Sequence, residues 1–407
     1  MARPLLRSRR LLGSLPDASS PPAEPFFGLG ITAEQDEFRE AASDFARGAL
    51  QPFSAQWDRE HFFPVDTLRE AAALGFAGIY CREDVGGAGL GRADAAAIFE
   101  ALSYGDVSTT AYLTIHNMVC GAIDKWGTPE QRARWLPPMT SMDLLSSYCL
   151  TEPGSGSDAA SLTTTARAEG GGFVLNGTKA FISGGGVSDV YLVMARTGGG
   201  GPAGISAFLV EKKSPGLSFG KQEDKMGWRS QPTAAVIMDN VKVPKSHLLG
   251  HEGDGFKIAM AGLDGGRVNI AACSVGGAHF ALDTTLDYTL GREQFRRPLA
   301  HFQNTEFKLA DMATALQAAR LMTRSAAAAL DAGAPGAGVD AAMAKRFATD
   351  ACYGIANDAL QLHGGYGYLT EYPVERVVRD LRVHTILEGT NEIMRVVIGK
   401  RLLGTRP

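Results

Sequence analysis

Glu388 stands in ILEGTNEIMR, between the apolar pair Ile386–Leu387 and Gly389. Thr390 is placed to cap a helix beginning there, and Glu392 falls in that helix's first turn. Desolvation by Ile386 and Leu387 raises the pKa of such a carboxylate, while a helix N-terminus lowers it, so its basicity is set by opposed effects. A carboxylate so placed can serve as a general base. The commoner reading of a lone glutamate here is a solvated residue ahead of a helix, and this motif alone leaves both open.

A second chemistry-bearing stretch is TEPGSGSD at 151–158. Thr151, Ser155 and Ser157 supply hydroxyls, and Gly154 and Gly156 permit close backbone approach to a ligand. Gly154-Gly156-Ala159 and Gly28-Gly30-Ala33 both satisfy a loose GxGxxA pattern. The first is followed by more β structure with no acidic residue about 20 positions on, and the second follows a Pro-rich segment, so neither supports a nicotinamide-binding site. The eight histidines show no HxxxH or triad spacing and there is no GxSxG, which removes support for metal-dependent and serine hydrolases. Cys81, Cys120, Cys149, Cys273 and Cys352 form no CxxC or zinc-type cluster and read as reduced core thiols; no metal is expected.

These residues need a scaffold, and 407 residues are enough for two to three domains. Lys plus Arg number 40 against 44 Asp plus Glu, a net charge of −4 that leaves no basic excess for nucleic acid. No apolar run reaches the length of a transmembrane helix. Residues 1–28 carry Arg3, Arg7, Arg9 and Arg10 with no acid before Asp17, the composition of a mitochondrial targeting segment, and are set apart from the fold.

From Thr32, where Gln35 completes a capping box, Phe38, Ala41, Ala42, Phe45 and Ala49 share one helical face. Further helices are expected over 65–75, 92–105, 108–127 and 129–139. At SSYCLTEPGSGSD the pattern changes to short β-rich runs, with Asn176-Gly177 read as a hairpin turn. After His251 long helical segments return. Strands and helices are thus segregated into blocks ordered α, β, α, which disfavours a doubly wound parallel sheet.

YCLTEPGSGSD (148–158), FIS (181–183), RxxF from Arg292 to Phe295, QLHGG (361–365) and ILEGTNEIMR (386–395) occur in the order, and within the α–β–α layout, of the acyl-CoA dehydrogenase family, which the chain resembles over about residues 30 to 405. FPVDTLREAAALGF, FEALSYGDVSTTAYLTIHNM, YCLTEPGSGSDAASL and GLDGGR are similar to the branch that oxidises isobutyryl-CoA in valine breakdown. The resemblance implies an α+β chain: an N-terminal α-helical domain (29–145), a middle β-barrel or sandwich domain (146–250) and a C-terminal four-helix-bundle domain (251–407). It also implies FAD, a homotetramer built as a dimer of dimers, electron-transferring flavoprotein as partner, and the mitochondrial matrix as location.

Carried onto this sequence, the resemblance sets the flavin against Tyr148, Cys149, Leu150 and Thr151, with Gly156 and Ser157 nearer its phosphates and the thioester. Phe181, Ile182 and Ser183 fall beside the ring. Arg292, Phe302, Gln303 and the Gln361, Leu362, His363, Gly364, Gly365 turn fall at the adenine and pyrophosphate, partly from a neighbouring subunit. Thr390, Asn391 and Glu392 complete the cofactor set; Ser157, Asp264, Gly265, Gly266, Arg267 and Thr390 lie on the substrate side. Phe181 stands where Trp is frequent, Gly184 where Asn is, and Arg296 replaces the Gly usual after RxxF.

Glu388 matches the family's catalytic base, which takes the α-proton of an acyl-CoA while hydride leaves the β-carbon for flavin. Some relatives carry the base immediately before the Arg of GLDxxR, a position that is Gly266 here. No Lys or Arg occurs between Ser103 and Asp124, so the helix expected along the acyl pocket offers no cation to a second carboxylate, and a glutaryl-type substrate is disfavoured. The expected substrate is isobutyryl-CoA, giving methacrylyl-CoA. Butyryl-CoA and 2-methylbutyryl-CoA are the alternatives, separated by a methyl or so of pocket shape, worth about 1–3 kcal/mol. Other functions on the same fold are an oxygen-reducing acyl-CoA oxidase and a non-catalytic assembly protein; intact Glu388 and flavin motifs argue against the latter.

Overall fold

The computed structural model describes residues 30–404; the expected targeting segment lies outside them. Thr32 Oγ1 accepts from the main-chain N–H of Gln35, and the Gln35 side chain accepts from that of Thr32, so the capping box starts α1 (Ala33–Phe45). A π-turn, Ala46–Leu50, carries the chain to α2 (Ser54–Glu60) and α3 (Val65–Ala73). Three longer helices follow: α4 (Arg92–Gly105), α5 (Val107–Trp126) and α6 (Pro129–Thr140). Helical periodicity marks all of these except α2, a seven-residue helix too short to display a repeating face.

The chain then enters one eight-stranded sheet. Its strands are β1 (Ser146–Cys149), β2 (Thr165–Glu169), β3 (Gly172–Ser183), β4 (Val190–Arg196), β5 (Ile205–Glu211), β6 (Leu217–Phe219), β7 (Thr233–Pro244) and β8 (Leu248–Leu249). They lie in the order β6-β7-β3-β2-β4-β5-β8, with β1 parallel to β4. Asn176-Gly177 is not a hairpin turn. β3 runs through it, paired to β7 with a register shift between Leu175 and Gly177. A β-carbon at Gly177 would strike Thr164, so the glycine serves close strand packing, and the reversal from β2 to β3 falls instead at Gly170 and Gly171, both at positive φ.

Beyond the sheet, α7 (Gly255–Gly291) is a 37-residue helix packed against α4, α5, α8 (Gln303–Asp331) and α9 (Ala337–Leu362). A small hairpin, β9 (Glu293–Gln294) and β10 (Arg297–Pro298), joins α7 to α8. Its turn residues Phe295 and Arg296 sit at φ 52° and 67°, a left-handed pair built without glycine at a cost of about 1–2 kcal/mol per residue. Arg296 therefore keeps the turn geometry that Gly would adopt more easily. α10 (Val374–Arg382), which the sequence reading did not mark, buries Val374, Val377, Val378 and Leu381 against α7 and α9, and α11 (Asn391–Leu403) closes the chain. Among the described residues no helix is long and apolar enough to cross a membrane, and no group of three or more His, Cys, Asp or Glu is placed to hold a metal.

Candidate active site

Glu388 and Gly389 form a left-handed turn, at φ 56° and 89°, between the end of α10 and the Thr390 cap of α11, whose Oγ1 accepts from the Ile393 N–H. Left-handed φ is unfavourable for glutamate, so the turn must be held from outside. Two buried cations do this. Arg267 Nε donates to the carbonyl of Glu388 at 3.3 Å, and Lys345 Nζ donates to the carbonyl of Gly389 at 2.8 Å. Arg267 is itself paired with Asp264 one turn back on α7.

The Glu388 side chain fills the space that a β-carbon at Gly266 would need, and its Oε2 is buried without a hydrogen-bond partner among the described residues. Burial raises the carboxyl to about 7; the Arg267 and Lys345 charges oppose it. The expected competition is thus present, but two cations rather than the helix end supply its lowering side. A carboxylate with one oxygen buried and unpartnered among the described residues, and near neutrality, can take a proton from a weak acid.

Lys345 escaped the sequence reading. It lies on the buried stripe Ala341, Ala344, Ala348 and Cys352 of α9, and a lysine on an alanine stripe was the available signal. Burial lowers its ammonium to about 8. Besides Gly389 it donates to Asn391 Oδ1 at 2.9 Å, and Asn391 Nδ2 donates to Thr349 and Asp350. The Asn391 amide is thereby turned inward and committed to this network, whereas Glu392 is exposed and paired with Arg395.

One turn before Gly266, on the same face of α7, Gly262 is packed by Met118 and Tyr148, and the Tyr148 hydroxyl donates to the Ala259 carbonyl at 3.3 Å. Burial, and next the Glu388 charge, push the Tyr148 phenol well up, so strand β1 and the Glu388 turn meet here. Cys149, Leu150 and Ile182 point into the core and can offer a ligand only main-chain groups. Phe181 is 71% exposed at φ 58°, in the β3 irregularity between Lys179 and Ile182, which turns an apolar ring outward. Ser183 is half-buried, its carbonyl accepting from Ser147.

The 151–158 loop is anchored by an ion pair not anticipated from sequence: Glu152 Oε1 and Lys179 Nζ, both buried, lie 2.8 Å apart. Burial acts to raise Glu152, but Lys179 and hydrogen bonds from Thr164 and Thr163 outweigh it and hold the carboxyl at about 2. Beyond this anchor Gly154 and Gly156 have open space where a side chain would be, and Ser157 is exposed.

The remaining expected residues lie elsewhere. Arg292 and Gln361–Gly365 line a cleft of about 460 Å³ at the far end of α7, with His363 stacked on Tyr288 at 4.2 Å and its Nε2 buried without a partner among the described residues. Phe302 stands beside the hairpin under Arg297, and Gln303 opens α8; neither lines the cleft. At 1.5 Å per residue, Gly266 and Arg292 are roughly 39 Å apart along α7, too far for one dinucleotide to touch both. The sequence-derived set therefore divides into two sites on each chain. A larger cleft of about 660 Å³ between α6 and residues 245–252 touches neither.

Sequence profiles of three domains match in order: acyl-CoA dehydrogenase, N-terminal domain, at 32–143; middle domain at 147–241; and C-terminal domain at 253–403. The chain is 58% identical to the mitochondrial isobutyryl-CoA dehydrogenase of Dictyostelium discoideum, over 92% of this chain and 90% of that protein. Its structure is similar to that of butyryl-CoA dehydrogenase from Megasphaera elsdenii, with a TM-score of 0.89 and 39% identity over 92% of this chain and 99% of that one. It is also similar to an FAD complex of PigA, with a TM-score of 0.89 and 30% identity over 93% and 99% of the two chains.

Proposed function

The chain belongs to the acyl-CoA dehydrogenase family, and we propose that within it the protein desaturates short branched acyl-CoA thioesters, isobutyryl-CoA to methacrylyl-CoA, with Glu388 as base. The observation that carries this reading is the Glu388 carboxylate itself: set against Gly266, its Oε2 buried without a hydrogen-bond partner among the described residues, and near neutrality.

The residues present fit FAD, the cofactor of the family. The exposed Phe181 ring gives the flavin an apolar face, and the main chain at 148–151 and 181–183 gives it donors and acceptors. The open glycine loop at 154–156 admits its phosphates. The Arg292 cleft, with a His363 Nε2 unpartnered among the described residues and glycine-turn amides, suits the adenine and pyrophosphate of a cofactor bound to a neighbouring protomer. Bound FAD supplies the acceptor for a hydride from the β-carbon.

The chain's own residues do the rest. Glu388 takes the α-proton and becomes a neutral acid, the form its burial favours. Its main-chain N–H donates to the thioester oxygen and stabilises the charge that develops there. Arg267 and Lys345 hold the two carbonyls of the turn, so this N–H and the carboxylate keep their aim.

Electrons leave to electron-transferring flavoprotein, and the protein works as a homotetramer in the mitochondrial matrix. Exposed Phe307, Leu321, Val396, Leu402 and Leu403 on α8 and α11 support association of the C-terminal helices. Anaerobic bleaching of the flavin with a thioester panel tests the substrate: isobutyryl-CoA is expected to bleach fastest, and faster bleaching by butyryl- or 2-methylbutyryl-CoA overturns that choice. Peroxide formed in step with substrate loss, without added acceptor, overturns the flavoprotein partner.

A further inference from the structure

Beside Glu388 lies a small apolar cluster. Ile270 lies four residues beyond Gly266 on the same face of α7, about 6 Å along its axis. Ala111 of α5 and Trp228 are buried with it, and Val383 and Leu387 pack against them. Leu387 is the residue before Glu388, so this cluster adjoins the carboxylate. Trp228, from the segment joining β6 and β7, is its bulkiest member and is 6% exposed.

Trp228 is held more firmly than packing alone would require. Its main chain is left-handed, at φ 53°, a conformation unfavourable for a bulky residue. Its N–H donates to Asp380 Oδ1 at 2.6 Å, and its indole Nε1–H donates to His384 Nε2 at 3.2 Å. With Nε2 accepting, a neutral His384 carries its proton on Nδ1 and donates to Ser274 Oγ at 2.7 Å. Ser274 in turn donates to the carbonyl of Ile270 at 2.8 Å. The hydrogen-bond chain that begins at the indole therefore ends on the main chain of the residue against which the indole packs. Burial, reinforced by Lys345, keeps His384 neutral, at about 3. Charged groups around this segment and α10 are Glu223, Asp224, Lys225 and Arg229 on the segment, Asp58 and Asp106 from the N-terminal helices, and Glu375, Arg376, Arg379 and Asp380 on α10.

We propose that Trp228 sets the acyl chain length of this site: its indole, fixed through His384 and Ser274, ends the cleft about one helical turn beyond the base and admits only a few carbons past the reacting pair. The assignment rests on the acyl-CoA dehydrogenase reading above, which supplies the base and the ligand class. His384 acts through Trp228 and is a positioning residue.

The test uses flavin-loaded protein and a straight-chain series. Trp228→Leu is expected to raise the hexanoyl-CoA to butyryl-CoA ratio of kcat/KM by about tenfold or more, the scale of a methylene-sized change in a pocket. Calorimetric titration with 2-hexenoyl-CoA should show a matching fall in Kd, with crotonyl-CoA binding little changed. Ala111→Leu fills the same cluster and is expected to move the ratio the opposite way, so it decides the matter where the tryptophan variant does not fold. His384→Leu should relax the ratio partway, and His384→Gln, which keeps an acceptor for the indole N–H, should restore it. An unchanged ratio in a folded, yellow Trp228→Leu or Ala111→Leu protein overturns the proposal. Slow turnover of isobutyryl-CoA by the parent overturns isobutyryl-CoA as the substrate, while the straight-chain ratio still judges Trp228.

Discussion

The place of a β-carbon at Gly266 is taken by the carboxylate of Glu388, so the two residues occupy one site, the glycine from helix α7 and the glutamate from the turn ahead of α11. Gly266→Ala must displace the carboxylate, and a displacement of about 1 Å is expected to slow flavin reduction about 10²-fold while FAD stays bound. Stopped-flow bleaching against flavin content separates the two effects; bleaching at the parent rate would show that the carboxylate's placement is immaterial.

Glu388→Gln keeps the shape and removes the base. Flavin reduction by isobutyryl-CoA should fall about 10²–10⁴-fold with FAD and thioester binding retained. Gly266→Glu in the same background brings a carboxylate to the shared space from the α7 side, and partial recovery of bleaching is the expected outcome. A glutamine variant that reduces flavin at the parent rate removes Glu388 from the mechanism.

Because burial raises Glu388 to about 7, the free enzyme should gain activity with pH through that value, as the base form appears. Lys345→Met deletes a charge that lowers it, so the apparent pKa of single-turnover bleaching should move upward. An unchanged value would mean that Lys345 acts on the turn alone.

The same shift has a stability side. A carboxyl raised on folding contributes stability that is complete below its unfolded value near 4.5 and is lost as pH rises through about 7. Glu388→Gln lacks that loss, so it should match the parent at pH 4 and exceed it by about 1–3 kcal/mol at pH 8. Denaturant midpoints at the two pH values check this; equal stability at pH 8 would place the carboxylate in a wetter site.

Lys179→Met leaves Glu152 buried and unpaired, which costs about 3–5 kcal/mol when one partner of such a pair is removed. Glu152 is lowered on folding, so its contribution is present above about 4.5 and fades as pH falls toward about 2. The variant's deficit in Tm should therefore be large at pH 7 and shrink in acid. A deficit independent of pH would point to lost packing.

Arg292→Ala should lower FAD retention on dialysis and thermal stability together, since a ligand that binds only the native state stabilises it by mass action. Full retention would remove Arg292 from the cofactor site.

What could be read along the chain was what neighbouring residues decide. The Thr32–Gln35 box, the faces of α1 and α3 to α6, and Thr390 as a cap depend on contacts within a few positions, so their residue types sufficed. The motifs also sufficed for the family, because five stretches in order are hard to meet by chance. Where the answer lay across the fold, local signals misled or were silent. Asn176-Gly177 carries the composition of a turn, yet β7 on one side and Thr164 on the other hold it inside a strand. Arg267 and Glu388 are 121 positions apart, and only the packing of α7 beside the α10–α11 turn brings cation, carboxylate and Gly266 together. That packing also withholds water from Glu388 and Lys345, and desolvation, a property of everything around a group, moves both toward neutrality. The length of α7 then separates Arg292 from Glu388, so a set of residues that along the sequence looks like one list falls at two separate places on the chain.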